Sequence, residues 1–179
     1  MMDFSISDDY KWVCLVASLI CFHLTITGFW AGGKRKLFTK EFMEENFKAE
    51  HERAFPGTLP SKEGYPDMGS GRYANKLPYK DWYAFNNAQR THYNYLESVT
   101  VAITWLLIAG LRYEWLAVGF GSLYLIGRIM YTVGYAIKGP KGRVAGFITQ
   151  LLANMALFVL SILSPLKMAG VYSDPSSTK

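Results

Sequence analysis

Residues 85–111 read FNNAQRTHYNYLESVTVAITWLLIAGL. The second half of this stretch is apolar enough for lipid, yet the first half carries Arg90, Asn94 and Glu97. A charge at the centre of a lipid-spanning helix costs about 2.5–3.5 kcal/mol on insertion scales, so such a residue normally faces the protein interior. The three residues are spaced i, i+4, i+7, which on a 3.6-residue helix places them within about 60° of one another. One helix face therefore presents a cation, an amide and a carboxylate. That set suits a zwitterionic ligand such as an amino acid or the γ-glutamyl end of a peptide. Arg grips a carboxylate with a planar fork, and Glu accepts from an ammonium. The plainer alternative is an internal ion pair that only neutralises the segment.

Reading outward gives three more apolar segments. The first, Trp12–Ala31, ends at Gly32-Gly33 and the basic run Lys34-Arg35-Lys36. Glycines stop helices, and basic residues anchor their ends at lipid headgroups. The acidic leader (Asp3, Asp8, Asp9) lacks a basic n-region, so this segment reads as a retained span rather than a cleaved signal. The second segment covers 82–111. The third, Trp115–Ile137, follows the turn Arg112-Tyr113-Glu114, and the fourth, Val144–Leu166, follows Lys138-Gly139-Pro140-Lys141-Gly142. The expectation is one all-α integral membrane domain over 1–179, an up-down four-helix bundle with spans near 12–31, 82–111, 115–137 and 144–166. A long insert, 33–80, separates the first two spans, and the tail 173–179 reads as disordered.

The composition agrees. Half of the 179 residues are hydrophobic, while a mean hydropathy of only +0.07 reflects apolar stretches alternating with polar ones. The formal charge of +5 does not indicate nucleic acid, because the basic residues gather at segment ends. Residues 33–81 and the 138–143 turn hold thirteen Lys and Arg, against four on the opposite side. That bias puts the insert and the short turn on the cytoplasmic side. Cys14 and Cys21, two helical turns or about 10.5 Å apart, cannot be bridged and read as small buried side chains. His23, His51 and His92 show no metal-ligand spacing, so no metal is expected.

A second polar stripe lies inside the third segment. Arg128, Tyr131 and Tyr135 follow at i, i+3, i+7, and Tyr124 extends the stripe. Arg143 opens the fourth segment on the basic side, where an isolated Arg reads as a headgroup anchor; Arg35 and Lys36 read so even more. Charges at one depth on facing helices can nonetheless form one site.

These motifs resemble a known family. The run Phe85–Glu97, with its Gln-Arg-x-His-x-Asn-x-x-Glu pattern, resembles the second-helix signature of the MAPEG superfamily, and is most similar to that of the type-three microsomal glutathione S-transferases. Gly127-Arg128-Ile129-Met130-Tyr131-Thr132-Val133-Gly134-Tyr135 is similar to that subgroup's third-helix motif, and Arg143-Val144-Ala145-Gly146-Phe147 to the start of the fourth helix. The resemblance covers 12–36 and 82–166. It implies a homotrimer with glutathione bound between neighbouring subunits. It implies that Arg90, Asn94, Glu97 and Tyr131 hold the peptide, with help from Arg35, His92 and Tyr135, and that Arg143 stabilises the thiolate; Arg128, from the polar stripe of the third segment, is a further candidate for binding glutathione. Two departures stand out. Ser98 follows the signature Glu where the leukotriene-synthase subgroup has Tyr, and the 33–80 insert is much longer than the family's usual loop.

Two functions follow as expectations. The first is a glutathione-dependent transferase or peroxidase acting on lipophilic electrophiles or lipid hydroperoxides in the endoplasmic reticulum or mitochondrial membrane. The second is a non-catalytic relative, either a lipid-binding scaffold or an accessory subunit that joins a larger membrane complex through the insert. The insert is rich in Pro, Gly and aromatics, and read as coil it needs a partner, or the glutathione site itself, to order it.

Overall fold

Helix boundaries follow the glycine, proline and charge punctuation, with one addition. The structure is a computed structural model and describes residues 6–171; the tail read as disordered lies outside the described residues. Helix α1 spans Tyr10–Gly33, α2 Lys40–Ala54, α3 Tyr79–Gly110, α4 Glu114–Lys138 and α5 Val144–Met168. Single 3-10 turns extend α1 through Lys34–Leu37 and α4 through Gly139–Lys141. No strand occurs among the described residues.

Among the described residues there are five α-helices where four were expected, and the additional one is α2, inside the stretch read as loop. Its sequence, KEFMEENFKAEHERA, contains neither Pro nor Gly. Thr39 caps it by accepting from the Phe42 amide at 3.2 Å, and Lys40 pairs with Glu44 one turn on at 3.7 Å. The Pro and Gly residues that make the insert look like coil lie outside this helix, at 56–78.

Among the described residues three helices are long and apolar enough to cross a membrane: α1 with its turn (Tyr10–Leu37), α4 with its turn (Glu114–Lys141), and α5. Helix α3, although 32 residues long, is not among them. Lys80, Asp81, Arg90, His92, Glu97 and four amide side chains occupy its first half and leave the apolar second half too short to span by itself.

By internal contacts the chain divides into two units, Met1–Thr25 with Asn94–Lys179, and Ile26–Tyr93. In the first, α1, α3, α4 and α5 each turn one stripe inward. Val13, Val16 and Ile20 of α1 meet Tyr95, Val99, Ala102 and Leu106 of α3, Ala117 and Tyr124 of α4, and Ala153 and Leu157 of α5. The spacing of three and four residues is that of one helix face. The opposite faces stay apolar and exposed, with Phe22 and Leu152 each 64% exposed; a helix apolar all round belongs in lipid. Cys14 and Cys21 lie on such an outer face, free and exposed. This corrects the reading of both as buried, because the inward stripe of α1 runs through the neighbouring positions 13, 16, 17 and 20.

Helices α4 and α5 touch backbone to backbone. A Cβ at Gly146 would collide with the Tyr131 amide nitrogen, and one at Gly134 with the Gly142 carbonyl. This contact carries Arg143, at the head of α5, alongside α4.

The second unit has its own core. Phe38, Met43, Phe47, Ala74, Leu77 and Phe85 are buried together, with Phe38 edge-on to Phe85 at 5.1 Å and Phe47 edge-on to Tyr73 at 4.6 Å. Burying each large side chain is worth about 1.5–3 kcal/mol. Two buried polar groups staple the Pro-rich stretch. Asp67 accepts from the amides of Gly69 and Ala74, both at 2.8 Å, and of Gly71 at 3.1 Å. Arg35 donates to the Asp67 carbonyl at 2.9 Å and the Glu63 carbonyl at 3.2 Å, and stacks 3.9 Å from the Tyr65 ring. Its exposure is 5%, which corrects the headgroup-anchor reading. The insert is therefore not coil in want of a partner, since its own aromatics supply a core.

Candidate functional site

The guanidinium of Arg128 is wholly buried. Its Nη1 donates to Asn94 Oδ1 at 3.0 Å and to Gln150 Oε1 at 2.8 Å. Its centre sits 3.9 Å from the Tyr95 ring and 4.9 Å from the Tyr131 ring. Nε and Nη2 are buried with no hydrogen-bond partner among the described residues. An uncompensated buried charge costs several kcal/mol. Two amides and two aromatic faces recover part of that, and no carboxylate shares it. The arrangement is a fixed cation with spare donors, which is what recognition of an anion requires.

Local geometry explains how the sequence builds it. On α4 the residues at i−4, i+3 and i+7 from Arg128 are Tyr124, Tyr131 and Tyr135, and all are buried. On α3, Asn94 and Tyr95 face them. The Tyr95 hydroxyl donates to the Ile20 carbonyl at 3.1 Å and lies 3.3 Å from His23 Nδ1, which fixes its ring beneath the guanidinium. The Tyr124 hydroxyl lies 3.2 Å from Ser98 Oγ. Ser98 thus fills a place inside the helix packing.

Arg143 stands next to this cluster. Its Nη1 donates to the Tyr131 hydroxyl at 3.1 Å, and its centre lies 5.8 Å and 5.7 Å from the Tyr131 and Tyr135 rings. The hydrogen bond to Tyr131 holds its guanidinium still more firmly protonated. Two cations therefore stand close to Tyr131. Neither Arg128 nor Arg143 pairs with a carboxylate among the described residues. The Tyr131 hydroxyl accepts from Arg143, so its proton remains available to a further acceptor.

The structure thus gathers Asn94, Arg128, Tyr131, Tyr135 and Arg143. Glu97 belongs to the same unit and is exposed on α3, and Arg90 is exposed in the other unit. His92 lies 3.0 Å from Thr27 Oγ1 through Nδ1, with its ring packed over Gly28. Arg35 is the clamp of the insert described above. Sequence reasoning missed Gln150, Tyr95 and His23. Gln150 did leave a signal, since it is the first amide in an otherwise apolar fourth segment. Tyr95 left none, being one of twelve tyrosines. No cluster of three or more His, Cys, Asp or Glu suited to a metal occurs among the described residues.

A helical membrane protein with a buried arginine cluster between its helices is the class this architecture defines. The model of the MAPEG family matches residues 13–163, and the chain belongs to that family. It is an integral membrane protein from a family of glutathione-related transferase and peroxidase type, whose members are often trimers and include non-catalytic ones.

Proposed function

We propose that this protein is a glutathione-dependent transferase or peroxidase that acts on lipophilic electrophiles or lipid hydroperoxides dissolved in the bilayer. Within the family the reading is closest to the type-three microsomal glutathione S-transferases, as a homotrimer of protomers in which α3 serves as the fourth span. The observation that carries it is Arg128, a wholly buried cation with two orphaned donor nitrogens and no carboxylate partner. Glutathione brings the anions such a site lacks. In this reading Arg128 and Arg90 take its carboxylates, Glu97 its ammonium and Asn94 an amide. Tyr131 and Tyr135 wall the peptide, and His92 and Arg35 act from a neighbouring subunit. Arg35 also holds the Asp67 and Glu63 carbonyls, so its part would be shared with that role.

Arg143 is the residue for the chemistry. A thiol with a pKa near its ordinary value of about 8.5 is mostly protonated at neutral pH, and a neighbouring guanidinium shifts it toward the thiolate. The sulfur then bonds to the electrophilic carbon as its leaving group departs. The membrane face delivers the lipid, and the cytoplasmic rim delivers glutathione.

The test is titration of glutathione into the purified protein in lipid nanodiscs, followed by calorimetry and by thiolate absorbance at neutral pH. Saturable binding with a thiolate band is expected. Absence of both would overturn the reading.

A second reading, an accessory subunit of a larger membrane complex or a lipid scaffold, draws support from the Ile26–Tyr93 unit. That unit presents Phe55, Tyr65 and Tyr79 at 60, 52 and 75% exposure, a surface an enzyme alone does not need. Glutathione binding without turnover, together with loss of co-purifying subunits in Phe55→Ser/Tyr65→Ser, would favour it.

A further inference from the structure

We propose that the Ile26–Tyr93 unit contains a second binding site, independent of the glutathione reading, for a small uncharged flat aromatic molecule. A cavity of about 460 Å³ lies between the C-terminal half of α2 and the 66–73 stretch. That volume falls within the roughly 300–1,000 Å³ typical of ligand pockets. Its size and chemistry both narrow the occupant.

The walls are aromatic. Phe47 and Tyr73 form one edge-on ring pair at 4.6 Å, and His51 and Phe55 form a second, tilted pair at 5.2 Å. Rings lining a cavity favour a planar guest that stacks or meets them edge-on. Phe55 and Met68 are 60% and 50% exposed, so a guest would remove apolar surface from water that folding alone leaves uncovered.

The cavity is also preformed. Its far wall is the turn that Asp67 holds by accepting from the amides of Gly69, Gly71 and Ala74. Arg35 fixes the same turn through the Asp67 carbonyl. A guest need not pay to order that wall.

The charged groups that line the cavity already have ion-pair or hydrogen-bond partners. Arg72 meets Glu50 at 2.6 Å, and the Asp67 carboxylate is enclosed by three backbone amides. An anion would find the one cationic wall group neutralised and a further carboxylate nearby. A cation would have to displace Arg72 from Glu50, or reach an Asp67 carboxylate that is only 6% exposed and already accepts from three amides. A charged guest would have to compete with these pairings and give up its own hydration, so the aromatic walls favour an uncharged guest. The Ser70 hydroxyl and the His51 ring both border the cavity, and neither side chain is hydrogen-bonded among the described residues. Together they fit a single hydroxyl or carbonyl substituent on the guest.

The test uses the full-length protein in lipid nanodiscs, with calorimetric titration of 2-naphthol corrected against empty nanodiscs. The expected result is saturable binding of one 2-naphthol per chain, at least tenfold tighter than 2-naphthoate or 2-naphthylmethylammonium. Ala54 lines the cavity. Ala54→Phe should fill it and weaken 2-naphthol at least tenfold, with an unchanged helical circular dichroism spectrum. Ala54→Ser, which leaves the space open, should retain binding. If Ala54→Phe disturbs the fold, Ser70→Ala decides instead: 2-naphthol should weaken several-fold while naphthalene binds as before. No saturable binding, equal affinity for the charged analogues, or binding untouched in both Ala54→Phe and Ser70→Ala would overturn the proposal. Glutathione titration of the same samples reports separately on the other site.

Discussion

Arg128, Arg143 and Asp67 are three charged residues with three different tasks. Arg128 keeps a full charge out of water with donors to spare. Replacing it with Ala removes the cation that the proposed function assigns to the anion and leaves the Asn94 and Gln150 carbonyls without their donor. Truncating one side of a buried charged pair costs about 2–5 kcal/mol. Glutathione affinity measured by calorimetry should fall by at least that lower bound, and an unchanged affinity would make Arg128 purely structural. Arg143, half-buried and bonded to Tyr131, should behave differently. Arg143→Ala is expected to keep affinity within a few-fold and lose turnover, because the proposed function sets its charge on the sulfur rather than on the carboxylates; full activity would sink the assignment. For Asp67, burial pushes the carboxyl up, but hydrogen bonds from the Ala74, Gly69 and Gly71 amides outweigh it and leave the group below the usual carboxylate range. A depressed folded-state value means stability that is present above the unfolded value of about 3.9 and lost as pH falls through the folded one. Exchange at the Gly69, Gly71 and Ala74 amides, corrected for intrinsic rates, should accelerate in that acid window and lose this pH dependence in Asp67→Asn. The residue types Arg128, Asn94 and Tyr131 were legible from spacing alone. The role of Asp67 was not, because one acid in a Pro-Gly stretch gives no sign that three amides converge on it.

At the scale of elements, the α4–α5 contact decides whether Arg143 reaches Tyr131. Gly146 permits it, since any Cβ there would strike the Tyr131 backbone. Gly146→Ala should therefore push the helices apart at a cost of about 1–3 kcal/mol, the usual penalty of overpacking. For a chain of this size that lowers the melting midpoint by about 2–4 °C per kcal/mol. Turnover should fall with it while Arg143 is still present, as read by steady-state kinetics alongside a thermal melt. Helix α2 teaches the converse lesson. Its capping Thr39 and its freedom from Pro and Gly were visible in the sequence, but the prolines and glycines at 56–78 dominated the reading of the whole insert. Helix α3 shows a third case. Its apolar and polar halves both form one continuous helix, and periodicity, not average hydropathy, is what reports it.

At the scale of the whole molecule, each of the two units rests on a core of its own. Phe47 is 6% exposed at the centre of the smaller core, and Phe→Ala in a core costs about 3–5 kcal/mol. Phe47→Ala should open the Ile26–Tyr93 unit to limited proteolysis within 40–78 while α4 and α5 remain joined as one protected fragment. Cleavage confined to α4–α5, or none at all, would contradict the view that the insert is held by its own aromatics.

The sequence by itself determined the helical class, the membrane segments of α1, α4 and α5, and the family, because these depend on local periodicity and on motifs read along a single strand of residues. It also placed Arg128 and Tyr131 on one face of one helix. Only the tertiary structure decided that Gln150 completes the Arg128 cluster, that two arginines meet at Tyr131, that Arg35 is a buried clamp, and that the insert folds upon Phe38, Phe47 and Phe85. Those facts join residues distant along the chain, and hydropathy and spacing carry no record of which distant side chains will share a core.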